Sequence, residues 1–250
     1  MTPLDQLCQI PFHDAPAAAR ARILSRIADT EFFAALTHEP AGDQAELQIF
    51  ALPDGPVALA CDAEERLAGF LGGPVAYLAL PGRILAGALA AEGRGLLINP
   101  GHPSEMLLDS ALLAWLVQTL QAQPSLAPDE APRAITPPDA DAAQRLAAPL
   151  GQRLGDMRDL VRAAGLMACE WADGRKNHLL VLRDVPQDRR DAVAKAFAEL
   201  LAFLPEAPGG TDIAFSDQDL PAQALPIIAP PVAPEPPAPQ RDPNAPPRLR

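Results

Sequence analysis

Val75-Ala76-Tyr77-Leu78-Ala79-Leu80-Pro81-Gly82-Arg83 and, after a short Ala/Leu-rich run, Gly95-Leu96-Leu97-Ile98-Asn99-Pro100-Gly101 form the stretch whose reading decides the fold. Each apolar run has strand length and ends at a breaker. Between them Ile84 to Ala91 has the composition of a short helix. Pro100 presets φ at the first central position of a turn, and Gly101 can take φ > 0 at the second, the signature of a type II turn. Strand, helix, strand, turn is the order expected of a fold that mixes helices and sheet in one layer system. A strand delivered into a tight turn is also a place where such folds put ligands. No titratable neighbour gives this turn chemistry, and Asn99, Pro100, Gly101 and the cation Arg83 are the candidate interaction surface because no catalytic constellation accompanies them and the helix that follows is apolar on more than one face. A plainer reading stands beside it. Asn99, Pro100 and Gly101 each have a sufficient backbone reason to be in a turn, and Arg83 could pair on the surface with Asp62 or Glu64 for under about 1 kcal/mol.

Working upstream, Ala17 to Leu36 carries Ile23, Ile27 and Ala28 at helical spacing, which predicts an amphipathic helix with Asp14 as a cap and Arg20, Arg22 and Arg26 towards solvent. Leu47 to Leu52 and Val57 to Ala60 flank Pro53-Asp54-Gly55-Pro56, a hairpin signal. Asp62 and Glu65 have the spacing of a capping box for a helix that stops at Gly72-Gly73. Downstream, Ser104 reads as the N-cap of a helix from Glu105 to about Gln121. Its apolar residues cover more than one face, so it is expected to pack on the sheet and also against a neighbouring domain or partner.

From residue 124 to 140 the composition turns to Pro, Asp and Ala, which reads as a linker. Beyond it, Leu150, Leu154, Met157, Leu160, Val161 and Ala164 predict a helix closed by Gly165. Leu166 to Trp171 and His178 to Leu182 flank Asp173-Gly174 as a second hairpin. Val193 to Leu204 predicts a helix and Thr211 to Phe215 a last strand. The expected architecture is α+β: two small mixed α/β domains, at 1–123 and 141–220, each with a helix-hairpin-helix-strand order. A disordered Pro-rich tail at 221–250 completes it.

The totals limit the function. The chain has 250 residues and a formal net charge of -12, which argues against a nucleic-acid or anionic-membrane surface, since both need clustered cations. Cys8, Cys61 and Cys169 are odd in number, widely spaced and without a C-x-x-C pair, as expected in a reducing cytoplasm. No basic N-terminal region followed by an apolar run is apparent, and no apolar window reaches the roughly 20 residues of a membrane span. The reading is a soluble, cytoplasmic protein.

No catalytic, cofactor-binding or metal-binding constellation stands out. His13, His38, His102 and His178 have no metal-ligand spacing among themselves or with cysteine. His102, Ser104 and Glu105 cluster after the turn, but no G-x-S-x-G elbow accompanies them, and Ser104 and Glu105 have sufficient roles at a helix start. The glycines form neither G-x-G-x-x-G nor a Walker loop. In the tail, Pro243, Pro246 and Arg248 fit a P-x-x-P-x-R pattern read by aromatic grooves. A plain solubilising tail explains them as well.

Read with Asp62-Ala63-Glu64-Glu65-Arg66-Leu67, the opening stretch resembles the SseB (enhanced serine sensitivity protein B) family of bacteria. The resemblance is carried by that acidic helix opening, by Leu80-Pro81-Gly82-Arg83 and by Gly95 to Gly101. Leu154 to Phe215 is similar to the family's C-terminal domain in element order and in Asp212-Ile213-Ala214-Phe215. The resemblance implies a cytoplasmic α+β protein of undefined biochemical role; the long Pro-rich tail departs from the compact family pattern. The leading expectation is a non-catalytic protein that binds a protein partner or a small metabolite. The alternatives are a small hydrolase or transferase using His102 and Ser104, and an assembly module that recruits partners through the tail.

Overall fold

The computed structural model describes residues 1–231 except 41, 43, 44, 54 and 129. Among them seven α-helices and two mixed sheets form an α+β fold. The tail positions Pro243, Pro246 and Arg248 lie outside the described residues.

The chain opens with α1 (Pro3–Leu7) and α2 (Ala17–Asp29). The expected helix over 17–36 stops at Asp29, because Glu31–Ala35 is a strand, β1. Thr30 turns extended at the boundary, and its hydroxyl donates to the Arg26 carbonyl. Phe32 and Phe33 then suit a pleated surface better than a helix, and β1 gains ladders on both sides. Its partners are β3 (Gly55–Cys61), which forms the expected hairpin with β2 (Ile49–Leu52), and β4 (Tyr77–Pro81). Between β3 and β4 lies α3 (Glu64–Leu71), whose N-cap is Ala63 and not Asp62, and which ends at Gly72 in the left-handed region as the Gly-Gly pair predicts.

After α4 (Gly82–Ala91), β5 (Gly95–Ile98) pairs parallel with β3 and enters the Asn-Pro-Gly turn. Gly101 has φ +78°, and the His102 N–H donates to the Asn99 carbonyl at 3.1 Å, closing the turn the sequence predicts. The helix expected from Glu105 begins later. Met106–Leu108 forms β6, antiparallel to β5, and α5 runs Ser110–Thr119 with Asp109 as its cap, accepting from the Leu112 N–H at 2.7 Å. Burying Met106 and Leu108 against the sheet is what displaces a helical start here. The first sheet is ordered β4-β1-β3-β5-β6, with β2 on the remaining length of β3.

In the second half, β7 (Ala134–Thr136) lies within the Pro-rich segment, and α6 (Ala140–Asp156) starts ten residues ahead of the predicted apolar stripe, capped by Asp139. The stripe's last residue, Ala164, lies instead in β8 (Ala163–Glu170), which forms the expected second hairpin with β9 (Lys176–Arg183). Gly165 therefore ends no helix. It sits mid-strand, where Leu220 and Ala224 pack so closely that a Cβ would crowd them. The predicted helix and last strand appear as α7 (Arg190–Ala202) and β10 (Thr211–Ser216), the latter parallel to β9. The expected disordered tail does not begin at 221: a short β11 (Leu225–Ile227) pairs antiparallel with β8 and completes the order β10-β9-β8-β11.

One buried apolar cluster spans both halves. It joins Ile27, Leu85, Leu96 and Leu116 to Leu146, Leu150, Leu180 and Phe197. Trp115 on α5 meets Phe203 edge to face, with ring centroids 5.7 Å apart. The Lys195 ammonium on α7 donates to the Leu120 and Ala122 carbonyls at the end of α5. The expectation that the helix after the turn touches a second body thus holds for its shortened form.

Candidate functional site

The candidate residues sit at one edge of the first sheet. β3 and β4 both run antiparallel to β1, and β5 runs parallel to β3, so all three deliver their C-terminal ends to that edge. Yet β4 and β5 are three strand spacings apart, about 14 Å. Arg83 and Asn99 therefore belong to different surroundings.

Asn99 is fully buried and has φ +46°, a left-handed conformation that Asn tolerates better than most residues. Its amide oxygen accepts from the Asp62 N–H at 2.9 Å, and its amide nitrogen donates to the Ser104 hydroxyl at 2.8 Å. Ser104 in turn donates to Asp5 at 2.6 Å, and both guanidinium NH₂ groups of Arg66 close on the same carboxylate. Asp62 lies 3.2 Å from Arg66. The hydrogen bonds from Arg66 hold the Asp5 carboxyl well below the usual carboxylate range. Residues 62 and 66 from the acidic helix opening, Asn99 from the turn and the helix-capping Asp5 thus form one buried polar knot. The knot ties α1 to the sheet. Of the turn residues, Pro100 is buried and Gly101 is exposed, its N–H donating to Glu105. Beside them Phe70, Pro100 and His102 line a shallow depression.

Arg83 reaches across to the second half. It donates to both carboxylate oxygens of Glu199 on α7, at 3.3 and 3.1 Å, and also pairs with Asp29 on α2. The surface pairing with Asp62 or Glu64 is not formed. Asp29 is shared with Arg153 of α6, whose other NH₂ donates to the Ser25 hydroxyl at 3.1 Å. Burial alone would raise the Asp29 carboxyl, but Arg153 and Arg83 outweigh it and hold it low.

These contacts form one wall of a cleft of about 340 Å³ between α2 and α6. Arg22, Ser25, Arg26 and Asp29 are spaced i, i+3, i+4, i+7, and so are Pro149, Gln152, Arg153 and Asp156. Each set is one helix face. One NH₂ of Arg26 donates to both carboxylate oxygens of Asp156, at 3.0 Å each. The cleft gathers four arginines, 22, 26, 153 and 158, against two aspartates, 29 and 156, a formal excess of two positive charges. Arg22 has no hydrogen-bond or ion-pair partner among the described residues, and Arg158 meets only the Pro230 carbonyl. Sequence reading sent Arg22 and Arg26 to solvent. The signal that places them is the matching polar stripe on α6, whose first ten residues lie ahead of the apolar stripe that marks the helix in the sequence.

The other chemical candidates are placed as follows. The Ser104 hydroxyl is committed to Asp5 and Asn99, and no hydrogen bond joins it to His102 among the described residues. Burial pushes the Cys8 and Cys61 thiols up to about 11 and raises Cys169 as well. His178 is buried with Asp139 3.2 Å away. It faces the main core with Leu180 and Leu182, while Cys169 faces the opposite side of the sheet with Leu179 and Val181, so the two cannot act as a pair. No group of three His, Cys, Asp or Glu side chains able to hold a metal ion occurs among the described residues, and no helix there is long and apolar enough to cross a membrane.

In comparison with known families, residues 12–115 fit the model described as the SseB protein N-terminal domain. That interval holds the Asn-Pro-Gly turn, four of the five knot residues and the α2 face of the cleft. No significant match to a curated protein or to a solved structure was found.

Proposed function

Since residues 12–115 match the SseB N-terminal domain, we propose that the protein acts by reversible binding of a small ligand, without covalent chemistry, in the cleft between α2 and α6. The observation that carries this reading is the convergence of four arginines on one cleft in a chain whose net charge is -12. With Asp29 and Asp156 counted against them, a formal excess of two positive charges remains in the concave site, and such an excess raises the local concentration of an opposite ligand. Hydrogen exchange on the full chain, with and without the ultrafiltered small-molecule fraction of a cell lysate, tests it. Protection is expected in residues 17–29 and 140–156. Protection elsewhere, or none, removes the proposal.

A second reading, a protein partner on the Pro100–Gly101 face, draws on one observation. Phe70 is half exposed beside Pro100 and His102, and a large exposed ring next to a rigid turn suits a docking contact. A Phe70→Glu variant that retains every partner of the wild type would exclude it.

A further inference from the structure

We propose that the ligand of this cleft is a small dianion, carboxylate or phosphoryl in nature, held between Arg22 and Arg158; the inference rests on the cleft being the binding place. Arg26 and Arg153 are already matched by Asp156 and Asp29. The remaining positive charge is that of Arg22 and Arg158. Two guanidinium groups offer paired, planar donors, the geometry that recognises carboxylate and phosphate oxygens. Gln6 and Gln152 add neutral amides to the lining. A volume of about 340 Å³ suits a metabolite-sized guest.

Two features oppose an anion: the aspartates, and the partial negative charge at the C-terminal end of α6. Asp156 is neutralised by Arg26 and Asp29 by Arg153 and Arg83, and the end of α6 faces Arg26 and Arg158. The net field of the lining stays positive. The segment after β11 also bears on the site. Ile228 and Pro230 lie against Gly151 and Gly155, and the Pro230 carbonyl takes the Arg158 guanidinium. A dianion offers Arg158 a stronger, charge-assisted bond than that carbonyl, so binding exchanges one for the other.

The test uses the full chain and four probes: sodium phosphate, sodium succinate, the neutral succinamide, and sodium chloride at matched ionic strength. Thermal unfolding is followed in the wild type, Arg22→Ala, Arg158→Ala and, outside the cleft, Arg94→Ala. One of the two dianions is expected to raise Tm saturably, by roughly 5–10 °C at a hundred times its Kd. Which of the two saturates identifies the carboxylate or phosphoryl source. Affinity should fall about tenfold or more in Arg22→Ala and in Arg158→Ala, and stay unchanged in Arg94→Ala. Both cleft arginines are partly or fully exposed, and the unliganded Tm of each variant shows whether its fold is kept; if one variant fails to fold, the other decides. An equal or non-saturating shift in all four proteins is solvent exclusion by salt and overturns the proposal. So does the absence of any shift. A saturable shift with succinamide equal to that with succinate overturns the charge class while leaving the cleft as the binding place. A blank result here together with no protection in hydrogen exchange removes both.

Discussion

Asn99 shows why one residue of the turn is more than a turn former. Its left-handed φ, its complete burial and its two hydrogen bonds coincide. Asn99→Gly keeps the backbone and drops the bonds, for an expected loss of about 1–3 kcal/mol in urea unfolding. Asn99→Val drops the same bonds and must also hold a β-branched side chain at φ > 0, which adds about 1–3 kcal/mol. Equal losses in the two variants would show that φ is not what selects Asn. Asp5 gives the pH signature of the knot. Its folded-state pKa lies below the ordinary 3.8, so its contribution is present above that pH and is lost as the pH falls from there towards the folded value. Asp5→Asn should lose about 2–4 kcal/mol near neutrality, because Arg66 then keeps only Asp62 as an ion-pair partner, with Ser104 as a neutral acceptor. Its acid limb below about pH 4 should also be shallower than in the wild type. Curves that run parallel would contradict the assignment. Cys8 and Cys61, at about 11, should label with a thiol reagent at neutral pH only as fast as the chain opens. Labelling within the mixing time would place them at the surface.

At the scale of elements, the sequence was most readable where the signal is local. The two hairpins and the end of α3 follow from Asp-Gly and Gly-Gly pairs, and α4 from the breakers on either side. Three misreadings share one cause, which is pairing with partners remote in sequence. Glu31–Ala35 continues the apolar spacing of α2, and only the ladders to β3 and β4 make it a strand. Met106–Leu108 follows a good cap residue, yet Ser104 is drawn to Asp5, 99 residues away, and β6 pairs with β5. Gly165 resembles a helix stop but accommodates Leu220 and Ala224. Gly82 shows the same kind of constraint from the other side. A Cβ there would fall on the Ile27 backbone carbonyl where α4 crosses α2. Gly82→Ala, harmless by helix propensity, is therefore expected to cost more than about 3 kcal/mol of unfolding free energy. A neutral or stabilising result would mean that the crossing is looser than described.

For the whole molecule, the ion pairs that matter lie across the two halves, and this is why the site was illegible. Pro81-Gly82 marks Arg83 as a fixed cation, but its partner Glu199 lies 116 positions on. No spacing rule connects them. The shared apolar cluster and the Asp29, Arg83, Arg153 and Glu199 pairs predict cooperative unfolding in one calorimetric transition, with calorimetric and van't Hoff enthalpies equal. Two separated transitions would contradict a common core. The central claim, that the cleft between α2 and α6 receives a small ligand, is tested most directly by amide NMR of the full chain titrated with phosphate and with succinate. The account predicts saturable shifts in one titration at residues 22–29 and 152–158, with Gly101 and Phe70 unmoved. Saturable shifts at Gly101 and Phe70 with the cleft amides silent would contradict it.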